Sequence, residues 1–319
     1  MADSRVIGVD LGGTKLLAGV IDREGVVVRR TVRPTETESE SELLADLDAA
    51  IAEFMDEGIG AIGVGIPSLI DQRAGCAVSS VNVPLADVDL RERLAGRFGV
   101  PAAIENDANA AALAEQRFGA GRGARHVIML TLGTGVGGGL ILDGTLYRGA
   151  VGAAGELGHM TLDIGGPECF GACPGRGHLE ALASGTATDR LAQELAADHP
   201  EGDLGRAVAE GRTADARLAV DLAADGPGDA RSLLEQVGTN LGEGIASLVN
   251  IFNPEVVVLG GGFARAGELL FEPARRVVAE RALLPARDLV RIVPALLGPE
   301  AGLIGAGLVG FEALDNGRA

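Results

Sequence analysis

The chain has 319 residues, of which 47% are hydrophobic, with no Trp, one Tyr and a net charge of -18 at neutral pH. That length exceeds what one hydrophobic core ordinarily serves, so two domains are expected, with cores of Ala, Val, Leu and Ile in place of aromatic rings. The acidic balance repels phosphate backbones and excludes broad electrostatic binding of nucleic acid, while no apolar run approaches the ~20 residues that span a bilayer. The start of the chain lacks the basic-then-apolar layout of a signal peptide, so a cytoplasmic protein is expected. Three cysteines cannot all pair within one chain, and a reducing compartment favours thiols or thiolate ligands.

From Arg5, "RVIGVDLGGTKLLAGVIDREGVVVRRTV" reads as two apolar β runs about a Gly-Gly-Thr turn and a third after "DREG". Residues 39–57 place Leu43, Leu44, Leu47, Ile51 and Phe54 on one face at helical spacing, which predicts a helix. A buried strand "IGAIGVGIP", a helix "DLRERLAGRFG", a short strand "PAAIEN" and the Ala-rich helix "DANAAALAEQRFG" follow. A meander followed by alternating helices and strands indicates an α/β domain. The pattern restarts at His126, where "HVIMLTLGTGVGGGLILDGTLYRG" is again strand, glycine turn, strand, Asp-Gly turn, strand. "VDLGGT" at residues 9–14 thus has a counterpart in "LTLGTG" at residues 130–135, which predicts two related domains flanking a cleft. Residues 183–246 read as mostly helical. A strand "EVVVLGGG", a helix over 264–280, a strand "VRIVPAL" and a small-residue helix "EAGLIGAGLVGFEAL" complete the chain.

Three glycine clusters stand at predicted strand ends. In "VDLGGTK", Gly12 and Gly13 let backbone N–H groups approach phosphate oxygens without Cβ obstruction. Thr14 can donate a hydrogen bond and Asp10 can hold the hydrated Mg²⁺ that accompanies a nucleotide; a plain hairpin turn is the alternative. Gly133, Gly135 and Gly138 match the dinucleotide spacing GxGxxG, but a strand follows where a pyrophosphate-binding helix is required. That fingerprint is therefore set aside, and Gly133, Thr134 and Gly135 are read as a second phosphate clamp. Gly260, Gly261 and Gly262 end a strand and open a helix, where a ribose or base can lie. Lys15 borders the first cluster, yet no GxxxxGK[ST] exists, so it is not read as a P-loop lysine.

In "IENDANAAA", Asn106 and Asp107 fall where a strand meets a helix. Asp107 is ordinarily an N-cap in such a place; at the carboxyl end of a buried strand it could instead take a proton from a hydroxyl attacking phosphorus. Downstream, His159, Cys169, Cys173 and His178 fall within 20 positions, in a chain with only three cysteines and four histidines. Two nitrogens and two sulfurs are the ligand mix of a closed tetrahedral zinc site, a brace with no open position for a substrate. Two buried thiols and two unrelated histidines are the alternative. Glu156 and Glu180 stand beside this loop, where carboxylates can accept hydrogen bonds from hydroxyls.

The ordered set "IGVDLGGTK", "GVGIP", "IENDANAAALAE", "LTLGTGVGGGLILDG", "GELGHM", "GHLEALASG" and "NPEVVVLGGG" resembles the ROK family (repressor, open reading frame, kinase), and within it the bacterial glucokinases. The resemblance covers essentially the whole chain. It implies the actin-like (ribonuclease H-like) ATPase fold, with an N-terminal domain over 1–118, completed by the C-terminal helix 300–319, and a larger domain over 119–299 carrying the zinc loop. It implies ATP-dependent phosphorylation of glucose at O6, with Mg²⁺ and a structural Zn²⁺, in a homodimer or homotetramer. By resemblance Asp107 is the catalytic base, and Asn106, Asp107, Glu156, His159 and Glu180 contact the sugar. Asp10, Gly12, Gly13 and Thr14 match the first phosphate motif, Gly133, Thr134 and Gly135 the second, and Gly260, Gly261 and Gly262 the adenosine side.

Two departures stand out. The family pattern CxCGxxGCxE reads "CFGACPGRGHLE" here, with His178 where the third cysteine is expected. Ser68 stands where the family often has glycine, near the expected sugar pocket. A kinase for fructose, mannose or an N-acetylated amino sugar is the competing reading, with polyphosphate as an alternative donor. A sugar-sensing repressor is disfavoured by the acidic charge and by the four residues ahead of the first strand.

Overall fold

The computed structural model describes residues 5–55, 58–80, 82–171 and 173–317. By their contacts the residues form two compact units: Met1–Arg125 with Gly139–Gly155 and Leu296–Ala319, and His126–Gly138 with Glu156–Ala295.

The first unit opens with the meander β1 (Arg5–Leu11), β2 (Lys15–Ile21) and β3 (Val27–Pro34). Helix α1 (Glu40–Ala52) follows, its Leu43, Leu47 and Ile51 fully buried as the spacing predicts. The Ser39 hydroxyl accepts from Glu42 N–H at 3.2 Å, an N-cap that fixes the helix start, and donates to the Glu42 carboxylate at 2.8 Å. The helix is shorter than the predicted 39–57, and Asp56 and Glu57 of that prediction lie outside the described residues. After β4 (Ile59–Ile66) comes a small antiparallel sheet of β5 (Ser68–Asp71), β6 (Cys76–Ser80) and β7 (Ala86–Val88). Sequence reasoning missed it, because strands this short carry no measurable alternation. Helix α2 (Leu90–Phe98), strand β8 (Ala102–Asn106) and helix α3 (Asp107–Phe118) complete the alternating run.

The main sheet has the order β3-β2-β1-β4-β8, with β4 parallel to both β1 and β8. In its register Asp10 faces Gly65, and Ile66 faces Asn106. The carboxyl ends of β1 and β8 therefore come level across β4, the place where α/β sheets bind ligands.

Five further elements define the second sheet: β9 (Val127–Leu132), β10 (Val136–Leu142), β11 (Thr145–Leu146), β12 (Val256–Gly260) and β13 (Arg291–Pro294). Its order, β11-β10-β9-β12-β13, repeats that of the first, a meander extended by two strands, with β12 parallel to β9 and β13. The internal repeat seen in the sequence is therefore real at the level of topology. The helical stretch comprises α4 (Leu179–Ala183), α5 (Gly185–Asp198), α6 (Asp203–Ala209), α7 (Ala216–Asp225) and the 24-residue α8 (Asp229–Phe252). The helix expected over 264–280 is divided. Gly267, at φ +59°, separates a 3-10 turn at Phe263–Ala266 from α9 (Glu268–Arg281), since a positive φ cannot continue a right-handed helix. A short α10 (Ala286–Leu289) precedes β13, and α11 (Ala301–Asn316) ends the described chain. Among the described residues no helix is long and apolar enough to cross a membrane.

Helix α11 belongs to the first unit and packs on both its sheet and α3. A Cβ on Gly63 would collide with Ala306 O, and one on Gly305 with Ala110 O. Backbone thus meets backbone on two sides of the helix. Gly305→Ala is expected to destabilise the fold by about 1–3 kcal/mol through overpacking, measured as a lower denaturation midpoint.

Candidate active site

In the first unit, β1 delivers Asp10 to the sheet's carboxyl edge, and the glycine turn follows. Gly12 N–H donates to Lys15 O at 2.9 Å, Thr35 Oγ1 donates to Gly12 O at 2.6 Å, and Thr35 N–H donates to Thr14 O at 3.2 Å. The turn is therefore closed from within and pinned from β3's end. The Asp10 carboxyl lies against the start of α11, where a Cβ on Gly302 would stand 2.5 Å from it. Burial, reinforced by the negative charge of Asp107 and opposed by Lys15, pushes Asp10 up to about 7.

Asn106 and Asp107 divide the work at the β8–α3 junction. The cap is Asn106: its Oδ1 accepts from Ala108 N–H at 2.9 Å and Asn109 N–H at 3.1 Å, leaving its amide group as a donor. The capping role, the alternative reading of Asp107, thus belongs to its neighbour Asn106. Asp107 occupies the first turn, where its Oδ1 accepts from Ala108 N–H at 2.9 Å. Burial raises its carboxyl above the ordinary range against the pull of backbone hydrogen bonds.

Glu105, which sequence reasoning did not assign, underlies this junction. It is fully buried; Oε1 accepts from Asn106 N–H and from Asn109 Nδ2, each at 3.0 Å, and Oε2 accepts from Arg148 Nε at 2.6 Å. Arg148 also reaches Glu312 at 2.8 Å. The only sequence signal for this network is the acidic residue opening "END". Ser68 is buried, with its hydroxyl directed at the carbonyls of Leu69 (3.0 Å) and Ser79 (2.8 Å), so its proton is spent on the backbone.

In the second unit, Gly133 N–H donates to Gly135 O at 2.9 Å, and Gly185 N–H donates to Gly133 O at 2.8 Å. Gly135 is turned against Glu180, whose Oε2 accepts from Val136 N–H at 2.8 Å. Glu180 thus braces the second glycine turn. Beside that turn opens a cavity of about 580 Å³, whose lining includes Gly133, Thr134, Thr186, Arg217, Gly262 and Phe263. Its size suits a nucleoside. Gly262 lines it, while Gly261, at φ +87° and packed on the Leu132 backbone, shapes the turn from Gly260 that leads there. Thr186, Arg217 and Phe263 lie in helices and turns without a motif, so sequence offered no signal for them.

The four scarce residues do converge. Ligand atoms of His159, Cys169, Cys173 and His178 lie within 4.8 Å of one another, the one such metal-capable group among the described residues. The two Nδ1 atoms are 3.4 Å apart, Cys169 Sγ is 3.7 Å from His159 Nδ1, and Cys173 Sγ is 3.5 Å from His178 Nδ1. A zinc tetrahedron with Zn–N of about 2.0–2.1 Å and Zn–S of about 2.3 Å has N···N edges of about 3.4 Å and N···S edges of about 3.6 Å. The donor set therefore fits zinc in number, chemistry and spacing, with His178 in the place of the family's third cysteine. Burial, with Cys173 and Glu180 nearby, pushes the Cys169 thiol up to about 12, which a cation would reverse. His178 also precedes α4, whose first turn carries Glu180. His159 offers its other nitrogen, Nε2, toward Glu156 at 3.9 Å.

The pattern of the ROK family matches residues 6–310. The glucokinase of Thermotoga maritima is 37% identical over 319 residues, covering 99% of this chain and all of that protein. The crystal structure of a ROK family glucokinase from Streptomyces griseus, in complex with glucose and AMPPNP, superposes with a TM-score of 0.82 at 33% identity, covering 97% of this chain and all of that one. The xylose repressor of Caldicellulosiruptor bescii is 32% identical over 286 residues, 88% of this chain and 71% of its own length. With the repeated sheet order, the level strand ends and these likenesses taken together, the chain belongs to the ROK family and has its actin-like ATPase fold.

Proposed function

We propose that the protein is a glucokinase, transferring the γ-phosphoryl group of ATP to O6 of glucose. The observation that carries this reading is Asp107, a carboxylate at the N-terminus of α3 that is not used as the helix cap and lies close enough to Asp10 for its charge to raise that carboxyl. In this reading Asp107 accepts the O6 proton as O6 attacks the γ-phosphorus, the bond from phosphorus to the bridging oxygen breaks, and ADP leaves. The turn at Gly12, Gly13 and Thr14 and the turn at Gly133, Thr134 and Gly135 hold the phosphates. Gly260, Gly261 and Gly262 border the adenosine, in the cavity lined by Gly262 and Phe263. Asn106, Glu156, His159 and Glu180 bind the sugar. Asp10 would hold a hydrated Mg²⁺, which when bound neutralises phosphate charge. His159, Cys169, Cys173 and His178 would hold a structural Zn²⁺ that stiffens the loop between Glu156 and Glu180. A homodimer or homotetramer in the cytoplasm is part of the same proposal.

A coupled ADP-release assay over a hexose panel tests the substrate: glucose is expected to give the highest kcat/KM, and a preference for fructose, mannose or an N-acetylated amino sugar would move the assignment to that sugar. Asp107→Asn should lower kcat by about 10²- to 10⁴-fold with glucose binding retained; near-normal turnover would remove Asp107 as the base. The base works only when ionised, and its pKa is raised, so kcat/KM should fall with decreasing pH along a limb lying above the ordinary carboxylate value of about 4. Metal analysis should find stoichiometric zinc, lost in the Cys169→Ser/Cys173→Ser double variant together with a raised KM for glucose. A zinc-free protein of full activity would refute the brace.

A further inference from the structure

Strand β8, which ends in Asn106 and leads directly into Asp107, is the last strand of its sheet in the order β3-β2-β1-β4-β8. Among the described residues no further strand takes the polar groups along its outer edge, so side chains do. Gln72 Nε2 donates to Ile104 O at 3.0 Å, and two residues on, Asn106 N–H donates to Glu105 Oε1, also at 3.0 Å. The same Glu105 oxygen accepts from Asn109 Nδ2 at 3.0 Å. One buried carboxylate thus spans the end of β8 and the first turn of α3.

Arg148 completes the arrangement from the other oxygen, donating through Nε to Glu105 Oε2 at 2.6 Å and through Nη2 to Glu312 of α11 at 2.8 Å. All of these neighbours of Glu105 donate, so the carboxyl fits there in its ionised form. Stability is a poor reason for such a network, because apolar side chains of the same volume commonly match or better a buried ion pair. The cost is visible at Asn109: with its nitrogen turned to Glu105, Oδ1 is the one buried side-chain polar atom without a partner among the described residues. What the network does achieve is placement.

We propose that Glu105 and Arg148 are positioning residues for the transfer: Glu105 sets the strand end and helix start that carry Asn106 and Asp107, and Arg148 holds the Glu105 carboxylate in place. This rests on the kinase reading. Neither residue touches the sugar or the nucleotide in this role; both act through the backbone of Asn106 and the side chain of Asn109. Removing Arg148 leaves Glu105 either a buried charge without its counter-ion or a protonated acid facing only donors, and each state disturbs the junction. The pair is also reachable from outside. The Arg148 side chain is 27% exposed and lines a cavity of about 530 Å³ together with Gln72, Arg91 and Glu312, so a small cation can enter where that side chain has been cut back.

The test uses the full chain with Glu105→Gln and Arg148→Ala. Each should raise KM for glucose and lower kcat, a loss in kcat/KM of about tenfold to a hundredfold, with KM for ATP unchanged. Damage to folding alone removes active molecules and lowers kcat without touching KM, so parental kinetics or a loss confined to kcat would overturn the proposal. Ethylguanidinium, the fragment that Arg148→Ala deletes, should restore that variant in a saturable way, whereas ethylammonium, of equal charge but without the planar fork, should not. Absence of rescue, or equal rescue by both cations, counts against the pair even where Glu105→Gln fails to fold. Hydrogen exchange at the Asn106, Ala108 and Asn109 amides reads the same effect without turnover: faster in Arg148→Ala, slowed again by ethylguanidinium. A protein that phosphorylates no hexose yet shows this exchange would sink the glucokinase reading and leave the hold on Asn106 and Asp107 standing, while unchanged exchange in an active enzyme would remove the positioning role alone.

Discussion

Helix α11 lies closer to the first sheet and to α3 than a helix bearing side chains at those points could. Gly8 would place a Cβ 2.5 Å from Leu303 O, Gly63 would strike Ala306 O, and Gly305 would strike Ala110 O. Because β1 and α3 are both fitted to this one rod, the end of β1 at Asp10 and the start of α3 at Asp107 are fixed together. Gly302 extends the same constraint to the Asp10 carboxyl itself. The chemistry assigned to those two residues depends on a separation set by backbone contacts, which no rotamer change can relax.

The acids of the first unit differ in how fully the fold compensates their charge. Glu105 is fully buried but answered by Arg148, an amide side chain and a backbone N–H. Glu115 is equally buried and accepts from the N–H groups of Ala120 (2.8 Å), Leu296 (3.1 Å) and Leu297 (2.8 Å). Neither is left in want of a partner. Asp10 and Asp107 receive far less compensation, so their charged forms are costly and both are raised. In this arrangement the acids held above their ordinary range are the ones at the strand ends.

What could be read from the sequence was local. The two glycine turns, the strand-to-helix junction at Asn106 and Asp107, and the repeat that became two sheets of like order all depend on neighbouring residues and on period. The four metal-type ligands were legible because their residue types are scarce in this chain. What escaped depends on distance along the chain: Arg148 meets Glu105 across 43 positions, and Thr186, Arg217 and Phe263 reach one cavity from three separate elements. Gly267 escaped for another reason, since helical spacing continues across it while its backbone angle does not. At Asn106 the local signal was present but divided between two adjacent residues, and the cap is decided by the two N–H groups that Asn106 Oδ1 accepts.

His159 presents one ring nitrogen to the cysteine cluster and the other toward Glu156. An imidazole that gives Nδ1 to a metal has only one tautomer left, with the proton on Nε2. Zinc in this loop would therefore set the hydrogen-bonding polarity of the proposed sugar site: a fixed donor at His159 beside acceptors at Glu156 and Glu180. A ligand would then be sorted by which of its hydroxyl oxygens must receive a hydrogen bond and which must give one, and a metal that touches no substrate would have set that rule.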